Sequence, residues 1–107
     1  MSENRSERII RIVKEAAATF MQKESNGASL ITITDVRLSN DEKYVNILFT
    51  VLPEDKEAAA LEFTKRMRSE FREYIKHNTK LGRIPTFDFQ IDLGEKHRQK
   101  LDTIPLN

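Results

Sequence analysis

Residues 29–52 hold two β-branched, alternating runs separated by four polar residues, and this pairing constrains the fold more than any other feature. In 43–52, Val45, Ile47, Phe49 and Val51 share one face of an extended chain, because strand side chains alternate with a period of two. In 29–38, Ile31 and Ile33 share a face, whereas Val36 and Leu38 fall in the opposite phase. A change of phase within a strand needs an extra residue, so a bulge or strong twist is expected near Asp35. Ser39, Asn40, Asp41 and Glu42 form a polar turn cluster. Two strands joined by so short a link pair antiparallel, as a hairpin.

Helical patterns flank the hairpin. In 4–26, Ile9, Val13, Ala16 or Ala17, and Phe20 recur at spacings of three and four, an apolar stripe suited to core packing. Asn4 is placed to cap this helix, with Glu7 reaching back three positions later. Asn26 and Gly27 supply the left-handed residue that ends it. After the hairpin, Pro53 fits a first helical position. Glu54, Asp55 and Glu57 follow where the helix dipole favours acids. The pattern then runs through Ala60, Phe63, Met67, Phe71, Tyr74 and Asn78 to about Lys80. That is more than twice the usual helix length of about 11–12 residues, so a break is expected, although no proline or glycine marks it. Leu81 and Gly82 read as the stop, with Lys76 and Lys80 favourably placed in the last turn. In 86–92, Phe87, Phe89 and Ile91 point inward while Asp88, Gln90 and Asp92 take the other face.

The element order is α-β-β-α-α-β, an α+β architecture with a three-stranded sheet and helices packed on one face. At 107 residues we expect one domain, 1–107, burying roughly two-thirds of the surface of its unfolded chain. Its ordered core spans about 5–92, and 93–107 form a tail with a weak helical pattern between Glu95 and Ile104 that frays at its end.

Zero cysteines exclude disulfides, thiol nucleophiles and Cys-ligated metal centres. The run Ile9-Ile10-Arg11-Ile12-Val13 is too short and too charged for a membrane span or a signal peptide, so a cytoplasmic protein with no membrane partner is expected. No phosphate-cradling glycine loop or nucleophile elbow is present. His77 and His97 stand apart from ligand-spaced partners, and Asp88 and Asp92 sit about 13 Å apart along a strand, too far to share a proton. The expectation is a non-enzyme with no metal, cofactor or small-molecule substrate.

The net charge of +1 conceals a strong asymmetry. Residues 65–83 carry seven cations against two acids, net +5, whereas 1–64 sum to −3 and 84–107 to −1. Arg68, Arg72 and Lys76 are four apart on one helix face, with Lys65 three before them. Phe63, Met67, Phe71 and Tyr74 occupy a different stripe, so the basic face stays exposed while the apolar one packs. A one-sided basic face on a mildly acidic body points to nucleic-acid phosphate.

Particular stretches resemble the ribosome-binding factor A family. Ile31-Thr-Ile-Thr-Asp-Val-Arg-Leu-Ser-Asn-Asp is similar to the family's ITDVRVSKD strand and turn. Residues 45–52 are similar to its AKVYVSVL, and Arg83-Ile-Pro-Thr-Phe-Asp-Phe to its R-x-x-P-E-L-x-F. The first helix, with Arg8 and its apolar stripe, is also similar, and the likeness covers about residues 5 to 104. It implies a type II KH-like domain and a non-catalytic bacterial factor that binds the ribosomal RNA of the small ribosomal subunit during its late maturation. The family's Ala-x-Gly kink falls on Met67-Arg68-Ser69, and its Asp-Pro-Arg-Leu is replaced by Asn26-Gly27-Ala28. Without the glycine, the helices at Met67–Ser69 either kink gently or run on as one.

The leading expectation is therefore a monomeric RNA-binding assembly factor. Its RNA contacts are Lys65, Arg66, Arg68, Ser69, Arg72, Lys76, Lys80 and Arg83 around the helix junction, with Arg37 on the first strand. The alternative is a non-catalytic protein-interaction module whose working surface is the acidic 40–63 region, net −4 through Asp41, Glu42, Glu54, Asp55, Glu57 and Glu62.

Overall fold

The computed structural model describes residues 2–24 and 27–103. Helix α1 (Arg5–Glu24) opens on the expected reciprocal cap. The Glu7 amide donates to Asn4 Oδ1 at 2.8 Å, and the Asn4 amide to Glu7 Oε1 at 3.4 Å. Asn26 lies outside the described residues, but Gly27 has a φ of +79°, which only glycine adopts without strain.

Strands β1 (Leu30–Leu38) and β2 (Tyr44–Leu52) pair antiparallel, from Leu30 opposite Leu52 to Leu38 opposite Val45. The register slips between Ile33 and Asp35, leaving Thr34 as the extra residue where the phase change requires one. The Ser39–Tyr44 turn closes with the Ser39 amide on Tyr44 O at 2.9 Å, and Glu42 takes a φ of +60°.

Pro53 sits just ahead of the first helical turn. It is extended (φ −71°, ψ 159°) and caps a 3₁₀ turn, Glu54–Lys56, from which helix α2 (Glu57–Arg66) grows. Helix α3 (Arg68–Asn78) follows after one residue, so the long helical pattern is two helices rather than one. The stop comes earlier than Gly82. Thr79 turns extended, and its hydroxyl and amide both donate to Ile75 O, at 2.7 and 3.1 Å. Lys80 therefore lies beyond the helix.

Strand β3 (Thr86–Ile91) joins β2 in parallel, from Tyr44 opposite Thr86 to Phe49 opposite Ile91. The sheet is mixed, in the order β1-β2-β3. Parallel neighbours need a long crossover, and α2 with α3 supply it. Helix α4 (Leu93–Thr103) follows at once. Asp92 caps it by accepting the Glu95 amide at 3.0 Å.

Helices α1, α2 and α3 cover one face of the sheet, completing the α+β, KH-like fold. Val13, Ala17 and Phe20 from α1 meet Phe71 and Ile75 from α3 above Val45, Ile47, Phe49, Phe87 and Phe89. Phe71 is wholly buried, with Phe20, Phe87 and Phe89 at ring-centroid distances of 5.3, 4.9 and 5.6 Å in edge-to-face pairs. Thr64 is the buried polar exception on α2, and its hydroxyl is satisfied by Leu61 O at 2.9 Å. An unbroken helix through both would run about 33 Å; with the break, α2 and α3 each pack on β3, a strand of about 20 Å.

Candidate nucleic-acid interface

The break is a single residue. Met67 has φ −86° and ψ 2°, values open to any L-residue, so neither the missing alanine nor the missing glycine prevents it. Its amide is shared between Phe63 O at 3.1 Å and Thr64 O at 3.2 Å, and its carbonyl restarts the ladder by accepting the Phe71 amide at 2.8 Å.

Around this break the basic residues divide into two groups. Lys65 Nζ donates to Asp88 Oδ1 at 2.7 Å and to Phe89 O at 3.0 Å, on the outer edge of β3. Arg68 Nη1 reaches the same Asp88 oxygen at 3.4 Å while its Nε donates to Lys65 O at 3.1 Å. Burial pushes the Asp88 carboxyl up. The Lys65 hydrogen bond, the Phe89 amide and the charges of Lys65 and Arg68 outweigh this and hold it below the ordinary aspartate value. Arg66 pairs with Glu62 one turn back at 3.0 Å. Arg72 donates from one guanidinium nitrogen to Pro85 O at 3.1 Å, with Ile84 O at 3.4 Å, and remains exposed.

The second group is uncommitted. Lys76, Lys80 and Arg83 are exposed and have no carboxylate within ion-pair distance among the described residues. Ser69 is exposed beside the break. Arg37 stands on β1 across the sheet from these cations, paired with Asp35 at 3.4 Å. The structure thus gathers Lys65, Arg68 and Asp88 at the break, and leaves Lys76, Lys80 and Arg83 beyond it, free toward solvent. His77 does not stand apart as expected but meets Glu73, one turn back on its own helix, at 3.3 Å, and Asn78 Nδ2 donates to Tyr74 O at 3.0 Å, a helix-end role.

One cation outside the sequence-derived set shares a groove with Lys80. A groove of about 450 Å³ between α1 and the end of α3 holds Arg8 and Lys80 on its walls, with Tyr74, Asn78 and Thr79 between them. Nothing local marks Arg8 for this position, because its neighbourhood exists only once α1 packs on α3 through Phe20 and Phe71.

The acidic 40–63 region is largely satisfied from within. Glu42 lies 3.1 Å from Arg5, and Glu62 is taken by Arg66. Lys96 of α4 bridges Glu54 at 3.1 Å and Glu57 at 3.0 Å, and Lys100 adds a contact to Glu54 at 3.3 Å. Among the described residues, no group of three His, Asp or Glu side chains is placed to hold a metal ion.

Comparison with known proteins matches this architecture to one family. The sequence model for ribosome-binding factor A matches residues 3–105. The ribosome-binding factor A of Kosmotoga olearia is 30% identical over 87 residues, covering 80% of this chain and 70% of that protein. The crystal structure of ribosome-binding factor A from Thermus thermophilus superposes with a TM-score of 0.70 at 22% identity, covering 78% of this chain and 91% of that one. A homology model of the Thermus thermophilus factor, fitted into a cryo-EM map of a 30S–RbfA complex, gives a TM-score of 0.65 at 24% identity, covering 74% and 86%. With nearly its whole length matched by the family's sequence model and the same fold in those relatives, the chain belongs to the ribosome-binding factor A family.

Proposed function

We propose that this protein is a monomeric, non-catalytic cytoplasmic factor that binds the small ribosomal subunit through its ribosomal RNA and acts late in that subunit's maturation. Family membership supports the ribosomal partner, since a relative carries the same fold in a 30S–RbfA complex. The observation that carries RNA contact is the sorting of charge. Most carboxylates of the acidic body are engaged internally, whereas Lys76, Lys80 and Arg83 form a run of exposed cations without carboxylate partners among the described residues. Arg72 continues that run one turn earlier with most of its guanidinium donors outward. Such a surface gains affinity from phosphate through counterion release. The half-buried pairing of Glu57 with Lys96, which also reaches Glu54, reduces the charge the acidic region offers a basic protein.

The test is charge reversal. Replacing Lys76, Lys80 and Arg83 together by glutamate is expected to abolish cosedimentation with isolated small subunits. Circular dichroism should be unchanged, because all three side chains are exposed. Undiminished cosedimentation of the triple variant would overturn the assignment.

A further inference from the structure

The α2–α3 break faces the outer edge of β3, and the space between them lies at a helix junction, where KH modules clamp nucleotide backbone. In this chain that space is bridged by Lys65 and Arg68, both converging on Asp88 Oδ1, at 2.7 and 3.4 Å. The bridge is accessible: the side chains of Lys65, Arg68 and Asp88 are 38%, 49% and 39% exposed. Pairs this open are weak and screened by salt, so another anion can replace the carboxylate. Asp88 offers those cations an anionic oxygen at hydrogen-bond distance, which is also what a phosphodiester offers.

We propose that Asp88 is a built-in competitor of RNA phosphate, holding Lys65 and Arg68 until an RNA backbone presented at the helix break displaces it. This rests on the RNA-binding reading above and adds selectivity to it. Unstructured RNA touching the surface meets exposed cations such as Arg72, Lys76, Lys80 and Arg83 first. An RNA whose shape places a phosphate at the break gains two further contacts. The same bridge also covers the free edge of β3, which a purely structural role would explain equally well. The two roles differ in what removal of the carboxylate does to RNA binding.

The experiment titrates a fluorescein-labelled oligouridylate against the full chain, its D88N variant, a variant carrying K65A and R68A together, and all three changes combined. Two released contacts should tighten D88N binding roughly tenfold or more at about 0.1 M salt and steepen the log K against log salt slope by about 1.4. K65A with R68A should leave the parent affinity for oligouridylate unchanged and cancel the D88N gain. Unchanged affinity and slope in D88N would overturn the proposal. So would weaker oligouridylate binding by the parent carrying K65A and R68A, or a D88N gain that survives their removal. If D88N does not fold, D88S replaces it, and the K65A with R68A arm decides independently. Should the parent bind neither oligouridylate nor isolated small subunits, the RNA reading itself fails. Small-subunit binding by the parent together with no effect of D88N sinks the competitor alone.

Discussion

The Asp92 carboxylate accepts the Thr34 hydroxyl at 2.6 Å through Oδ2 and the Glu95 amide at 3.0 Å through Oδ1, while the Asp92 amide donates to Phe49 O at 2.8 Å. One buried residue thus ties the β1 bulge, the end of β3 and the start of α4 together. Burial raises its pKa. The Thr34 and Glu95 hydrogen bonds and the charges of Arg37 and Arg98 lower it further than burial raises it, so the folded value lies below the ordinary one. A depressed carboxylate stabilises the fold above its unfolded pKa, about 3.9 for aspartate, and that stability is lost as pH falls through the folded value. The stability owed to Asp92 should therefore be fully present and independent of pH near neutrality, and thermal stability should fall with acid below about pH 4. D92N should flatten part of that acid limb while keeping an oxygen for the cap. D92A should cost about 1–2 kcal/mol at pH 7 through the lost cap, measured by urea unfolding. An acid limb identical in D92N and the parent would contradict this account.

At the scale of elements, Phe71 is where α1, α3 and β3 meet, and its ring packs edge-on against Phe20, Phe87 and Phe89. F71A should cost about 3–5 kcal/mol in urea unfolding, a large part of the roughly 5–15 kcal/mol typical of a whole domain. Y74A, at a half-buried position, should cost clearly less. Local periodicity made most elements legible: the stripe Ile9, Val13, Phe20, the strand face Val45 to Val51, and the slip beside Asp35 all follow from nearest neighbours in sequence. The helix break was legible in total length but not from residue type, because Met67 uses a conformation that needs no glycine. The helix end at Thr79 was missed because Gly82 carries the stronger local signal, while the side chain of Thr79 satisfies the last turn. Ile75 and Thr64, both wholly buried, belong to core positions that the stripe through Phe63, Met67 and Tyr74 passed over. The excess of charge in 65–83 could be counted in sequence. Its division could not, since Lys65 and Arg68 meet Asp88 across separations of 23 and 20 residues.

Over the whole molecule, that division should set how the proposed RNA binding responds to salt. Cations held by carboxylates release no counterions on meeting RNA until the internal pair opens, so they should be silent in a titration with unstructured RNA. Arg72, Lys76, Lys80 and Arg83 remain, and at about 0.7 per phosphate on single strands they give a slope near −3. Binding to isolated small subunits, where shaped RNA can reach the helix break, should engage Lys65 and Arg68 as well. At about 0.7–0.9 per contact the slope becomes roughly −4 to −5. Single alanine changes at Lys76, Lys80 or Arg83 should each reduce both slopes by about 0.7. K65A should reduce only the slope measured with subunits. A slope for oligouridylate as steep as that for subunits would mean the Asp88 pairs exert no selection. The near-neutral total fits the same proposal: the internally paired acidic body adds no long-range attraction for polyanions, so the proposed affinity should depend on an RNA surface shaped to bring phosphates to one end of the helix pair.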